Sequence, residues 1–146
     1  MREQTLRAVA ALSLLLSLAV VFTRAQSTDV ARVTIPFDFQ VGGKTFMAGE
    51  YLVRCDAQTG VLRILQRDGR ASAFFSTSPV QTGTVNENSK LVFNRYKDQY
   101  FLSRVWASGS SDGRELGKSR QERALGGEIA KDGLKSQTVA VIVRPR

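Results

Sequence analysis

Histidine is absent from this sequence, and Cys55 is its only cysteine. Without histidine the chain lacks the usual general base, the Ser–His and Cys–His nucleophile pairs, and the commonest zinc ligand. One cysteine can form neither an internal disulfide nor a thiolate metal cage. We therefore predict no cofactor, no metal site and no catalytic residues, and we expect Cys55 to be a buried thiol on one strand face with Tyr51 and Val53. A hydrolase using a pair of carboxylates is the remaining enzymatic alternative, and the scattered acidic residues disfavour it.

Long apolar runs are also scarce, since the longest extends only from Ala8 to Phe22. It is too short to span a bilayer comfortably, which takes about 20 residues. Basic residues precede it, and small residues follow it, ending at Ala25. This pattern predicts a secretory signal peptide over residues 1–25 and one exported domain over residues 26–146, periplasmic or extracellular in a bacterium.

Acidic residues are outnumbered by basic ones, and the whole chain carries a net charge of +8. The predicted mature chain has 18 basic and 12 acidic residues, a net charge of +6. A basic balance favours contact with an anionic surface or polymer. The charges are spread along the chain, however, so no specific nucleic-acid interface is predicted.

Alternating apolar and polar residues, the pattern of strands with one buried face, recur along the chain. Residues 33–41 place five apolar side chains on one face, and Pro36 predicts an edge or a bulge there. Gly42-Gly43 can supply a tight turn. Residues 138–143, TVAVIV, are interpreted as a last, buried strand.

Asp68-Gly69 predicts a hairpin with a two-residue loop, because this dipeptide accepts positive φ at both positions. That loop pairs Ile64 with Ala73 and Leu62 with Phe75, which gives a wholly apolar face. The opposite face carries arginines and serines, together with Leu65 and Phe74.

A second hairpin is expected over residues 90–107, flanking Lys97-Asp98-Gln99. A three-residue loop would put Phe101 and Val105 on the face of Leu91 and Phe93. One residue more or less would reverse the faces of the second strand, so the register stays open.

Two polar stretches complete the chain. Residues 77–89 are expected to be an irregular connection. Residues 108–137 are rich in glycine, serine and charge, and they contain a helix-capping signal, Ser119 followed by Glu122. The predicted helix is short, near residues 120–125, and stops at Gly126-Gly127. The resulting fold class is all-β, an antiparallel sandwich or small barrel of about seven to eight short strands with one short helix.

The second hairpin also supplies the candidate site: Arg95, Tyr96, Tyr100, Arg104 and Trp106. Such aromatic rings beside guanidinium groups can stack a sugar, a base or a polymer. Aromatic residues are enriched in strands for packing reasons alone, however. The strand pattern therefore favours sheet core with solvated charges over a ligand site.

Three segments, IPFDFQVGGKTFMAGEY, KLVFNRYKDQYFLSRVW and GKSRQERAL, resemble in this order a family of small exported proteins common in acidobacterial genomes. The resemblance spans roughly residues 30 to 125. Met47 stands where the family pattern has proline, and Lys97 where it has glycine. The family has no known activity, so the resemblance implies an exported β-domain and supplies no site residue.

Three functions are compatible with these observations. The favoured one is a non-enzymatic exported domain that binds an envelope protein or an anionic polymer. The second is a small barrel that carries an apolar ligand inside. The third is the carboxylate-pair hydrolase. Oligomeric state is left open.

Overall fold

The structure is a computed structural model and describes residues 32–143. The predicted signal peptide, residues 1–25, lies outside this range. The described residues form ten strands and one helix, which confirms the all-β fold class. The elements are β1 (Val33–Ile35), β2 (Phe39–Val41), β3 (Lys44–Phe46), β4 (Gly49–Cys55), β5 (Val61–Gln66), β6 (Ser72–Asn86), β7 (Lys90–Tyr96), β8 (Gln99–Trp106), β9 (Ser110–Leu116), α1 (Arg120–Lys131) and β10 (Gln137–Ile142).

The ten strands belong to one sheet, which among the described residues does not close into a barrel. The main path runs β1-β4-β5-β6-β9-β8-β2-β3, and β7 joins β8 to β10. The long strand β6 divides the sheet, because residues 72–76 pair with β5 and residues 77–86 run alongside β9. We call β1, β4, β5 and residues 72–76 the first half-sheet. The second half-sheet comprises the rest of β6 with β9, β8, β7 and β10.

One hydrophobic core receives the inner faces of both half-sheets. The ring of Phe39 lies 5.3 Å from that of Tyr51 on β4 and 5.5 Å from that of Phe93 on β7. The β2–β3 hairpin thus fills the space between the halves with aromatic side chains, which bury large apolar areas. Cys55 is buried on the same face as Tyr51 and Val53, as predicted.

The alternation over residues 33–41 is confirmed as a burial pattern, since its apolar side chains, half-buried Phe37 included, face the core. The strand itself breaks at Pro36. β1 pairs with β4 in the first half-sheet, whereas β2 lies beside β8. Gly42 and Gly43 form the predicted turn, with φ of 54° and 87°.

The first hairpin has the predicted register: Ile64 faces Ala73 and Leu62 faces Phe75. Its loop is longer than predicted. The backbone N–H of Gln66 donates to the carbonyl of Ala71, leaving four residues in the loop. Only Gly69 has a positive φ, 72°, so the prediction of positive φ at Asp68 was wrong.

The second hairpin has a two-residue loop, Lys97-Asp98, because Tyr96 pairs with Gln99. The prediction of a three-residue loop was therefore wrong. β8 also contains a bulge, since Val92 pairs with Arg104 but Phe93 pairs with Leu102. The extra residue, Ser103, shifts the alternation of side chains along β8 by one position. Leu102 before it and Val105 after it therefore both point into the core.

The polar stretches are more regular than predicted. Residues 77–86 are the second part of β6, and residues 110–116 are β9, a central strand between β6 and β8. These two strands alternate poorly because their side chains are largely half-buried or exposed. Residues 137–142 form β10, which is an edge strand with exposed and half-buried residues, so the prediction of a buried last strand was wrong.

Helix α1 begins as predicted, with the Ser119 hydroxyl accepting from the backbone N–H of Glu122 at 3.1 Å. It runs twelve residues, through Gly126 and Gly127, where the sequence predicted a stop. Gly126 lies next to the Tyr96 ring of β7, where a Cβ would be in ordinary van der Waals contact at 3.5 Å. The helix ends at Lys131, and the C-cap residue Asp132 is followed by Gly133, which has a φ of 70°.

Candidate binding surfaces

Helix α1 covers the outer face of β7 and β8 near their turn. Glu122 is only 4% exposed, and its Oε1 accepts from the Asn94 side-chain amide at 2.9 Å and the Tyr96 hydroxyl at 3.2 Å. The Tyr96 ring packs against Phe101 and Ile129 in a small core of its own. Tyr96, a predicted site residue, is therefore buried under the helix.

Arg104 and Trp106 lie farther along β8, at its pairing with β9. Trp106 is buried, and its ring lies over Gly113, where a Cβ would overlap the ring carbons. Such an aromatic ring covering a glycine on the neighbouring strand is a packing device of sheets. Arg104 is exposed, and its Nε lies 2.9 Å from Glu115 Oε1.

Arg95 and Tyr100 are the two predicted site residues that the structure brings into contact. The guanidinium carbon of Arg95 lies 5.4 Å from the centroid of the Tyr100 ring, which stacks on Phe37 at 3.9 Å. Arg95 also donates from Nε to the Lys97 carbonyl at 2.8 Å and lies 3.8 Å from Asp98. The five predicted residues thus occupy three separate places, and ligand binding by them stays a prediction.

The outer face of the first half-sheet is the alternative surface. Its strands turn alternate side chains to the core, so the residues between them point outward. Arg54 on β4 is directly opposite Arg63 on β5, which is opposite Phe74 on β6. The next row is Leu52 and Leu65. We call these five residues the outer patch.

The outer patch combines an exposed ring with positive charge. Phe74 is 63% exposed, and the guanidinium carbon of Arg63 lies 5.4 Å from its ring centroid. Arg63 is exposed, so its guanidinium group can also reach a carboxylate of a partner. Glu50, which is also on β4, pairs with Arg32 at 3.5 Å and with Arg67.

Sequence reasoning placed Arg63 and Phe74 on the outward face of the first hairpin but did not connect them with Arg54. The missing information was the pairing of β4 with β5, which no local turn specifies. The strand pattern of residues 49–55 contained the signal, since Arg54 falls between the inward positions Val53 and Cys55.

Titratable groups with shifted pKa values have structural causes here. Burial raises the pKa of the Cys55 thiol and that of the Tyr51 hydroxyl, so both stay neutral near pH 7. Backbone N–H groups of Thr59 and Gln58 lower the pKa of Asp56, an exposed turn residue. Within residues 32–143, no cluster of three or more acidic or cysteine side chains could hold a metal ion.

No protein-family model, curated protein or solved structure matches this chain. The resemblance noted from its segments therefore remains an expectation. None of the helices in the described part of the chain is long and apolar enough to cross a membrane.

Proposed function

We propose that this protein is an exported, non-enzymatic β-domain that binds an acidic surface of another envelope protein through the outer patch. The observation that carries the proposal is the exposed Phe74 ring beneath the Arg63 guanidinium, with Arg54 on the next strand. Arginine and aromatic residues are enriched in the buried centres of protein interfaces. Guanidinium groups bind carboxylates in a bidentate manner.

A protein partner is favoured over an anionic polymer by the second row of the outer patch. Leu52 and Leu65 are half-buried and lie beside the arginines. A partner that supplies apolar side chains as well as carboxylates buries these leucines on binding, whereas a uniformly charged polymer offers them nothing.

The carrier alternative requires space at the centre of the fold. The rings of Phe39, Phe46 and Tyr51 contact one another there, with centroids 5.3 to 6.0 Å apart. This packing favours the surface over the interior as the place where a ligand binds.

The proposal is tested with a random copolymer of glutamate and tyrosine as the probe, compared with polyglutamate and with a sulfated polysaccharide. We expect the copolymer to bind most tightly. Arg63→Glu should weaken that binding about tenfold or more, and Phe74→Ser should weaken it about fivefold, as for residues at the centre of an interface.

Two matched variants serve as controls. Arg123→Glu changes the net charge equally on the exposed surface of α1, and Val85→Ser removes an apolar side chain that is 63% exposed, like that of Phe74. Both should bind the copolymer within twofold of the unaltered protein. An equal loss for Arg123→Glu and Arg63→Glu would overturn the outer patch as the site. Tighter binding of the sulfated polysaccharide would overturn the protein partner.

A further inference from the structure

β10 forms an edge of the sheet with few of the features that block edges. Among residues 32–143 it pairs with one strand only, β7, over its six residues. Its outer edge therefore presents a row of backbone N–H and C=O groups. Native proteins commonly block such an edge with lysine, proline or a bulge, and the segment QTVAVI contains neither lysine nor proline. Ile142 is 57% exposed.

A cleft of about 340 Å³ lies where β10 begins, between the β7–β8 turn and the end of α1. Gln137, the first residue of β10, belongs to its wall, so the cleft adjoins the strand. Ile129 and Leu134 supply its apolar lining, and Leu134 is 57% exposed. The remaining lining is mainly basic: Arg95, Lys97 and Lys135, with Asp98 as the acidic residue.

The basic residues of the cleft differ in how their charges are balanced. Lys97 Nζ lies 3.2 Å from Glu128 Oε1, and Arg95 pairs with Asp98. Lys135 is exposed and makes no ion pair within the described part of the chain. A carboxylate entering the cleft would therefore meet one unbalanced positive charge.

The charges flanking β10 disfavour a second copy of this chain as the occupant. The segment QTVAVI contains no carboxylate, and the basic Lys135 precedes it. A second copy that paired through β10 would therefore bring no acidic group of that strand to the cleft. An acidic segment from another protein places a carboxylate beside Lys135, which is an attractive contact.

We propose that β10 and the adjoining cleft are a docking site for an extended, acidic-flanked segment of a partner protein. The segment adds to the sheet as a further strand, with backbone hydrogen bonds to β10 and alternate apolar side chains beside Ile142. Its terminal acidic residue enters the cleft and pairs with Lys135. This site shares no residue with the outer patch, so the two proposals can be tested independently.

The test uses a synthetic peptide, Glu-Val-Thr-Val-Thr-Val-Glu, and a second one with lysine at both ends. Fluorescence anisotropy measures binding, and amide hydrogen exchange locates it. We expect the acidic peptide to bind at least tenfold more tightly than the lysine peptide, and to slow exchange within residues 137–142. Lys135→Glu should weaken binding of the acidic peptide about tenfold, because it puts like charges together.

Lys44→Glu is the matched control. Lys44 is exposed on β3, and its replacement by glutamate changes the net charge as much as Lys135→Glu does. This variant should bind the acidic peptide with an affinity within twofold of that of the unaltered protein. Equal binding of the two peptides, or unchanged exchange within residues 137–142, would overturn the proposal. Slow exchange of every amide in 137–142 without peptide would show the edge already occupied, and would overturn it as well. Sedimentation would then tell whether the occupant is a second copy.

Discussion

The two half-sheets share one core but differ in what covers their outer faces. On the second half-sheet, α1 lies over β7 and β8, and Phe101 is only 2% exposed although it points away from the main core. On the first half-sheet no element of the described chain has comparable contact with the outer face, and Phe74 is 63% exposed. Both faces carry aromatic rings among arginines. The helix determines which rings become core.

This difference separates polar groups that hold the fold together from polar groups that the core does not require. Under the helix, Glu122 has partners on β7, so its burial is balanced by hydrogen bonds. On the outer face of the first half-sheet, the exposed Arg63 guanidinium lies over the exposed Phe74 ring, an arrangement that the core does not require. Binding is therefore expected on the face where the arrangement serves no structural need.

The sharpest test of the comparison removes the same side chain from each face. Phe101→Ala should lower the free energy of unfolding by about 3–5 kcal/mol, because it opens a cavity between β8 and α1. Phe74→Ala should change it by less than about 0.5 kcal/mol, as for a surface residue. Urea unfolding followed by circular dichroism measures both. Equal losses for the two variants would mean that the first half-sheet is also covered.

A smaller effect is expected at the hydrogen bonds that fasten the helix to β7. Glu122→Ala leaves the Tyr96 hydroxyl and the Asn94 amide without their acceptor, at a cost of about 1–3 kcal/mol. Glu122→Gln keeps an acceptor oxygen and should lose less than half as much. The midpoint of urea unfolding distinguishes them. If both variants unfolded at the midpoint of the unaltered protein, Glu122 would have no role in holding α1.

Local sequence patterns were sufficient to predict strand pairing where one buried face and one turn determined the register. The pairing of Ile64 with Ala73 followed from alternation on both sides of Asp68-Gly69, even though the loop proved longer. The N-terminus of α1 followed in the same way, because the hydrogen bond from Glu122 N–H to Ser119 is local in the chain.

The errors occurred where distant contacts override local signals. Gly126 does not stop α1, which continues past it to Ile129, a residue that packs with Tyr96 and Phe101. Ser103 forms a bulge whose presence depends on the pairing of two strands. The prediction of the candidate site was affected most by such contacts. A helix from another part of the chain buries Tyr96, and the Trp106 ring packs over Gly113 on β9.

The smallest expected effects compare the turns of the two hairpins. Gly69 in the first half-sheet and Lys97 in the second both have positive φ, 72° and 54°. A residue with a Cβ is strained there by about 1–2 kcal/mol. Gly69→Val should therefore destabilise the protein by about that amount, because a Cβ at Gly69 meets no other atom within 4 Å and backbone strain acts alone.

Lys97→Gly should have the opposite sign. It relieves the strain but removes the exposed ion pair with Glu128, which contributes about 1 kcal/mol at most. The net result is a stabilisation of about 0.5 kcal/mol, from relief of about 1–2 kcal/mol. Lys97→Ala is the control, because it loses the same ion pair and keeps the strain, so it should be less stable than Lys97→Gly by the whole backbone term. Thermal unfolding of the three variants measures this difference, and equal melting temperatures for Lys97→Gly and Lys97→Ala would show that the β7–β8 turn is not strained.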